Sequence, residues 1–257
     1  METYYIKKFI DIIDKYFKDV INIYQNKKIA VLISGGIDSS IIGYFTVKYF
    51  SSVIFFTLNS PTATDLKFSK IISQFLKQKL QIVNFNQKNI NTVSQIVKKI
   101  LIKNEVDVNP TYLSLATGFF LLLKEIKNQQ IDTVFTGQGP DVLLAGYKKY
   151  HQLPSTFLNQ KIKDDLYLIE IDKKRDQAVA DYFNIKLENP YLTNKFINFC
   201  LSVPPELKIN QLNNIFYEKY LSRKVGQFLN LPKEVIFRHK KAFQYSTKIR
   251  NYFKGVI

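Results

Sequence analysis

The stretch Ile29-Ala30-Val31-Leu32-Ile33-Ser34-Gly35-Gly36-Ile37-Asp38-Ser39-Ser40 decides how the chain is read. A short apolar run rich in β-branched residues predicts a buried strand, and paired glycines followed by small polar residues predict a tight turn into a helix. Such a unit belongs in an open parallel sheet, whose ligands bind outside the carboxyl ends of the strands. Adjacent glycines let the main chain approach an anion closely. Ser34, Ser39 and Ser40 carry hydroxyl donors, and the helix N-terminus favours negative charge, so the turn is a cradle for phosphate or pyrophosphate. The Lys-Ser/Thr ending of a Walker A loop is absent, and so is the G-x-G-x-x-G spacing of dinucleotide sites. An aspartate inside an anion cradle repels phosphate unless a divalent cation lies between them, so Asp38 is expected to bind magnesium. A plain Gly-Gly turn capped by Asp38 would account for the glycines and not for the whole run.

Working outward, Ile6, Phe9, Ile10, Ile13, Phe17, Val20, Ile21 and Tyr24 recur at helical spacing and predict an amphipathic first helix. Helix is expected from Asp38 to Phe50, strand over Val53–Leu58, helix from Asp65 to Leu76 and strand over Leu80–Phe85. Thr111 is expected to cap a helix running to Lys127. Ile131–Thr136 reads as a strand that ends at a second glycine-rich turn, Gly137-Gln138-Gly139-Pro140-Asp141. Alternation at these lengths predicts an α/β fold, a parallel twisted sheet with helices on both faces. Beyond Tyr150 the strands are expected to stop, with helices over Asp176–Phe183, Asn194–Leu201, Asn213–Phe228, Pro232–Arg238 and Ser246–Phe253. Residues 1–150 would form the α/β core and 151–257 a helical region packed on its active edge, the two making one compact unit.

Composition narrows the classes. With 37 Lys and Arg against 21 Asp and Glu the formal net charge is +16, which invites a nucleic-acid partner. The aromatic-interleaved basic cluster Lys233, Arg238, Lys240, Lys241, Lys248, Arg250 and Lys254 supports the same idea. One cysteine, Cys200, excludes a disulfide framework and a Cys-based zinc site, and points to a reducing, cytoplasmic location. Between Phe199 and Leu201 it reads as a buried small hydrophobe. His151 and His239 are isolated and read as structural or surface residues. Leu115–Leu123, the densest apolar stretch, is too short to span a bilayer, so no membrane is expected.

Ser34-Gly35-Gly36-Ile37-Asp38-Ser39 resembles the S-G-G-x-D-S loop of the N-type ATP pyrophosphatases, the PP-loop group with an adenine nucleotide alpha hydrolase-like fold. Within that group, Thr136-Gly137-Gln138-Gly139-Pro140-Asp141-Val142-Leu143-Leu144-Ala145-Gly146-Tyr147 is similar to the S-G-E-G-x-D-E-x-x-G-G-Y stretch of the asparagine synthetase synthetase domain. Arg175-Asp176, Asn189-Pro190-Tyr191-Leu192 with Leu201 to Lys208, and Leu231-Pro232 through Arg238-His239-Lys240-Lys241-Ala242-Phe243 agree in order.

The resemblance implies ATP and Mg2+ as cofactors. Ser34, Gly35, Gly36, Asp38, Ser39 and Ser40 would hold the pyrophosphate of ATP, and the backbone at Leu32, Leu58, Thr136 and Gly137 would meet its adenosine. Asp38 and Asp141 would bind magnesium, and Lys240 would neutralise charge developing at the α-phosphate. It further implies a stand-alone synthetase domain without the glutaminase domain, so glutamine hydrolysis is not expected. The nitrogen would come as ammonia or from a separate glutaminase subunit. The implied activity is an AMP- and pyrophosphate-forming ligase that adenylates a small-molecule acceptor. Three departures change the site, one of them Val142 where the motif carries an acid after the aspartate. Gln138 replaces the glutamate that serves as base, and a carboxamide accepts no proton at neutral pH. Thr193 replaces an aspartate, which implies an altered acceptor pocket. Modification of tRNA and an impaired ATP-binding protein stand as the alternatives.

Overall fold

The computed structural model describes residues 1–61, 63, 65–212, 215–238 and 243–253. The described elements run α1 (Glu2–Tyr24), β1 (Ile29–Leu32), α2 (Ile37–Tyr49), β2 (Val53–Asn59), α3 (Leu66–Phe75), β3 (Lys79–Asn84), α4 (Gln87–Lys103), α5 (Pro110–Asn128), β4 (Thr133–Phe135) and α6 (Pro140–Leu143). They continue with α7 (Ser155–Asp164), α8 (Leu166–Tyr182), β5 (Lys186–Glu188), α9 (Asn194–Ser202), α10 (Pro205–Lys208), β6 (Ile209–Leu212), β7 (Ile215–Glu218), α11 (Tyr220–Phe228), α12 (Lys233–Ile236) and α13 (Phe243–Ser246).

Five strands pair in the order β3-β2-β1-β4-β5, and every pairing is parallel. Period-two alternation sends β1 and β2 side chains to both faces, so each face carries its own core. Val31, Phe55 and Phe135 pack under α1, α2 and α9, while Ala30, Phe56, Leu58 and Val134 pack under α4, α5 and α8. Phe17 of α1 stacks on Phe45 and Phe135, with ring centroids 5.9 and 5.3 Å away, which seats the first helix over the sheet.

Chain order reverses between β1 and β4. Their following turns diverge to opposite faces there, which opens a crevice at the carboxyl edge. Both glycine-rich turns of the sequence lie at that point.

Several sequence expectations are corrected. The strands do not stop at Tyr150: β5 completes the sheet beside β4, because Lys186–Glu188 follows α8 with only a short turn and extends the parallel ladder. Asn213–Phe228 is not one helix, since β6 and β7 form an antiparallel hairpin and the helix begins at Tyr220. The cap of α5 is Asn109, whose Oδ1 accepts from Tyr112 N at 2.9 Å; Thr111 lies inside the first turn behind Pro110. Ser246–Phe253 is a 3-10 turn at Ile249–Phe253 rather than an α-helix. Helix α4, unmarked by the sequence reading, starts at a reciprocal Asn86/Asn89 capping box. Among the described residues no helix is long and apolar enough to cross a membrane.

Lys208 is completely buried, with Nζ donating to Asn159 Oδ1 at 2.6 Å, and burial pushes its amine down to about 8. Unfolding therefore takes up a proton between that value and the ordinary 10.5, so stability should rise with pH across this window. Lys208→Met is expected to add about 2 kcal/mol to the unfolding free energy at pH 7 and to remove the rise, as read by urea titrations from pH 7 to 10.5.

Candidate active site

The turn after β1 is held by its own hydroxyls. Gly36 N donates to Ser34 Oγ at 3.3 Å, Ser39 Oγ to Gly36 O at 3.1 Å and Ser40 Oγ to Gly36 O at 2.8 Å. Gly35 takes φ +68° and backs onto α3, where a Cβ would stand 2.6 Å from Ser69 N, so only glycine fits. The turn after β4 comes equally close: a Cβ on Gly137 would lie 2.7 Å from Ser39 N. The two glycine-rich turns thus meet backbone to backbone.

Between them opens a cavity of about 670 Å³. Leu32, Ser34, Gly36, Asp38, Ser39, Leu58, Thr136, Gly137, Gln138 and Asp141 all line it. Gly35 and Ser40 do not; they shape the turn from behind. Thr193 is not among the lining residues either, and its hydroxyl caps α9 by accepting from Phe196 N at 3.3 Å. Lys240, with His239 and Lys241, lies outside the described residues. Cys200 is buried, and burial raises its thiol, which leaves it unreactive as expected. His151 stacks on Phe216 at 5.2 Å.

Three groups take places in the site that the sequence reading did not assign. Lys219 precedes α11 in the left-handed region at φ 55°. Its buried ammonium bonds to Asp38 Oδ2 and stands 2.5 Å from Asp141 Oδ1, joining the two turns through one charge. Gly146 makes room for it, because a Cβ there would meet both Asp141 Oδ1 and the Lys219 stem. Nothing local marks a lysine for this place, since its partners are 181 residues away along the chain for Asp38 and 78 for Asp141 (219 − 141).

The second group is a pair of arginines. Arg238 donates to Ser34 O at 2.8 Å and pairs with buried Asp65, its guanidinium lying 4.7 Å from the Phe68 ring centroid. Arg223 donates to Glu218 O at 2.8 Å and to Arg238 O at 3.1 Å. Arg238 is therefore an internal strut and does not belong to an exposed basic cluster. The third is the α8 triad of Asp172, Arg175 and Asp176: Arg175 Nη1 donates to Asp172 Oδ1 at 2.5 Å and Nε to Asp176 Oδ1 at 2.8 Å. Their i, i+3, i+4 spacing, legible in the sequence, puts all three on one helical face toward the cavity.

Asp38 and Asp141 fit a divalent cation, since both carboxylates already address a single cationic centre and hard oxygen donors suit magnesium. Among the described residues no cluster of three or more His, Cys, Asp or Glu side chains is arranged for a metal. Further ligands would thus be phosphate oxygens and water.

A model of the asparagine synthase family matches residues 21–188 and 170–256. The chain belongs to the asparagine synthase family. Among curated relatives it is 28% identical to the glutamine-hydrolysing asparagine synthetase of Cricetulus griseus over 244 residues, and 28% identical to that of Homo sapiens over the same length. Each match covers 89% of this chain and 42% of the relative, so the chain spans less than half the length of these relatives. Among solved structures, NMN synthetase from Francisella tularensis superposes with a TM-score of 0.51, covering 99% of this chain and 87% of that one at 13% identity. This likeness supports the PP-loop fold of the family and nothing further.

Removing one partner of a buried charge cluster leaves the others uncompensated, which costs about 3–5 kcal/mol. Lys219→Met leaves Asp38 and Asp141 facing each other and should lower the unfolding free energy by about that amount, as measured by denaturant titration. Lys195→Met, on exposed surface, should change it by less than about 0.5 kcal/mol.

Proposed function

We propose that the chain is an asparagine synthase-like, ATP-dependent ligase that adenylates a small-molecule acceptor and releases pyrophosphate, an amine or ammonia then displacing AMP. The observation that carries the reading is the meeting of the Ser34–Ser40 turn and the Gly137–Asp141 turn across the β1/β4 crevice, each bringing one aspartate to the same point. In this reading the amides and hydroxyls of Ser34, Gly36 and Ser39 bind the β- and γ-phosphates. Leu32, Phe56, Leu58, Phe119 and Leu122 supply an apolar slot of the right kind for an adenine ring. Magnesium bound at Asp38 and Asp141 would polarise the phosphates it touches. Lys219 and Arg223 on the cavity wall, and Lys240 beyond the described residues, supply positive charge toward the α-phosphate. Gly35 and Ser40 contribute by holding the turn. The sheet, completed by β5, and the helices beyond Tyr150 would act as one domain, with a cytoplasmic location and an ammonia source or glutaminase subunit outside it.

A second reading, ATP-driven modification of tRNA, is favoured by one observation. The described cavity wall is balanced, with Asp38, Asp65, Asp141, Asp172 and Asp176 against Lys149, Arg175, Lys219, Arg223 and Arg238. The +16 surplus therefore lies elsewhere. In a gel shift this reading expects affinity for tRNA to fall about 10³-fold or more between 50 and 200 mM salt, as counter-ion release requires. Salt-independent or absent binding removes it.

Calorimetry with ATP and Mg2+ tests the main reading directly, and absence of binding overturns it. Gly137→Ala should push the two turns apart and weaken ATP binding about tenfold or more. Pyrophosphate release, assayed across amino acids with ammonia, should follow for the true acceptor. ATP bound and left intact with every acceptor would instead favour an ATP-binding protein without the ligase step.

A further inference from the structure

Gln138 leaves the reaction without a base at the place where the family carries a glutamate, and the cavity wall contains five carboxylates from which another could come. Asp38 and Asp141 share Lys219, and Asp65 is taken by Arg238. That leaves the two on α8. Asp176 gives Oδ1 to Arg175 Nε and keeps 13% side-chain exposure, while Asp172 gives Oδ1 to Arg175 Nη1 and keeps 25%. Among the described residues no hydrogen bond reaches Asp172 Oδ2, and Asp172 lines the cavity.

The surroundings of Asp172 select for charge. Arg175 spends both Nε and Nη1 on the two aspartates and is buried, so it offers no open fork to a substrate carboxylate. Two carboxylates against one guanidinium leave the α8 wall with one net negative charge. Lys149, also on the cavity wall, points to Asp165 at 2.6 Å, a carboxylate it shares with Lys161 at 2.8 Å. A wall of this sign attracts an ammonium and repels a carboxylate. Leu168 and Leu115 line the same cavity and would accept an apolar stem behind the nitrogen.

We propose that Asp172 is the proton acceptor for the nitrogen nucleophile, and that this nucleophile is an organic amine received as its ammonium on the Asp172, Arg175 and Asp176 face. The proposal deepens the ligase reading and rests on it. The ammonium gives one proton to Asp172 Oδ2, and the freed lone pair forms the C–N bond at the acyl-adenylate carbon. The C–O bond to AMP then breaks with its electron pair staying on the phosphate oxygen, and the second nitrogen proton leaves with AMP or to water. Burial raises the Asp172 carboxyl above the ordinary carboxylate range, with Arg175 opposing and the charges of Asp176 and Asp141 adding to the rise. Tyr147 and Tyr112 also face this group. A raised carboxylate is the better matched base for chemistry near neutral pH.

The test uses the full chain and two probes of equal size, n-butylammonium and butyrate, titrated by calorimetry at pH 8 with and without ATP and Mg2+. The wild type should bind n-butylammonium about tenfold or more tightly than butyrate, a margin of ~1.4 kcal/mol. Affinity should be lost on acidification as Asp172 protonates, while the probe itself keeps its charge. Asp172→Asn should abolish both the preference and the pH dependence, and Asp181→Asn, exposed on the same helix, should change neither. With a carboxylate that supports pyrophosphate release, Asp172→Asn should slow amide formation from n-butylamine about 10²-fold or more. It should spare hydroxamate formation from hydroxylamine, which is already neutral at that pH. Butyrate bound as tightly as n-butylammonium, or equal loss with both nucleophiles, overturns the proposal. The wild-type comparison decides even if the variant does not fold. Failure of the ligase reading would appear separately, as absent ATP binding with the amine titrations unaffected.

Discussion

A single buried ammonium joins the parts of this molecule that matter for chemistry. Lys219 leaves the β6/β7 hairpin in a left-handed conformation and places its charge between Asp38 of the first glycine-rich turn and Asp141 of the second. Two carboxylates brought this close, Asp38 buried and Asp141 partly so, repel each other, and the cation between them offsets that repulsion. The same contact fastens the start of α11 to the carboxyl edge of the sheet. Gly146 and Gly137, which let side chain and backbone approach without a Cβ in the way, follow from the same constraint.

Around this centre the arginines act as struts. Arg223 reaches the carbonyl of Arg238, and Arg238 reaches the carbonyl of Ser34 and the carboxylate of Asp65, so the segment after α12 is tied to the Ser34–Ser40 turn. Each guanidinium in the described site is matched by an acid, which leaves the cavity balanced although the chain carries +16. Net charge and site charge are separate properties here: the first governs what the surface attracts, the second what the cavity can hold.

The family pattern is kept where the nucleotide would lie and altered where the acceptor would lie. Both aspartates and the glycine turns of the motifs persist, while Gln138 stands where the resemblance implies a glutamate base and Thr193, a helix cap, where it implies an aspartate. In the ligase reading proposed above, negative charge on the acceptor side would come from α8, where Asp172 and Asp176 pair with Arg175.

Local patterning determined a good deal by itself. The apolar run 29–33 with its glycines, the period-two and period-3.6 stretches up to β4 other than α4, and the second glycine turn are properties of neighbouring residues, so the parallel sheet and the crevice could be read from them. Short elements were not legible. Strand β5 has three residues and is stabilised only by its ladder to β4, and β6/β7 owes its form to pairing with each other, so neither has a pattern that outweighs helix. Long-range electrostatics were equally hidden. The roles of Lys219, Arg223 and Arg238 depend on partners far away in the chain, and no spacing rule reaches that distance. The sequence determined which turns would meet an anion; the tertiary structure decided which charges would surround it, because burial and pairing are properties of the folded neighbourhood and not of the residue.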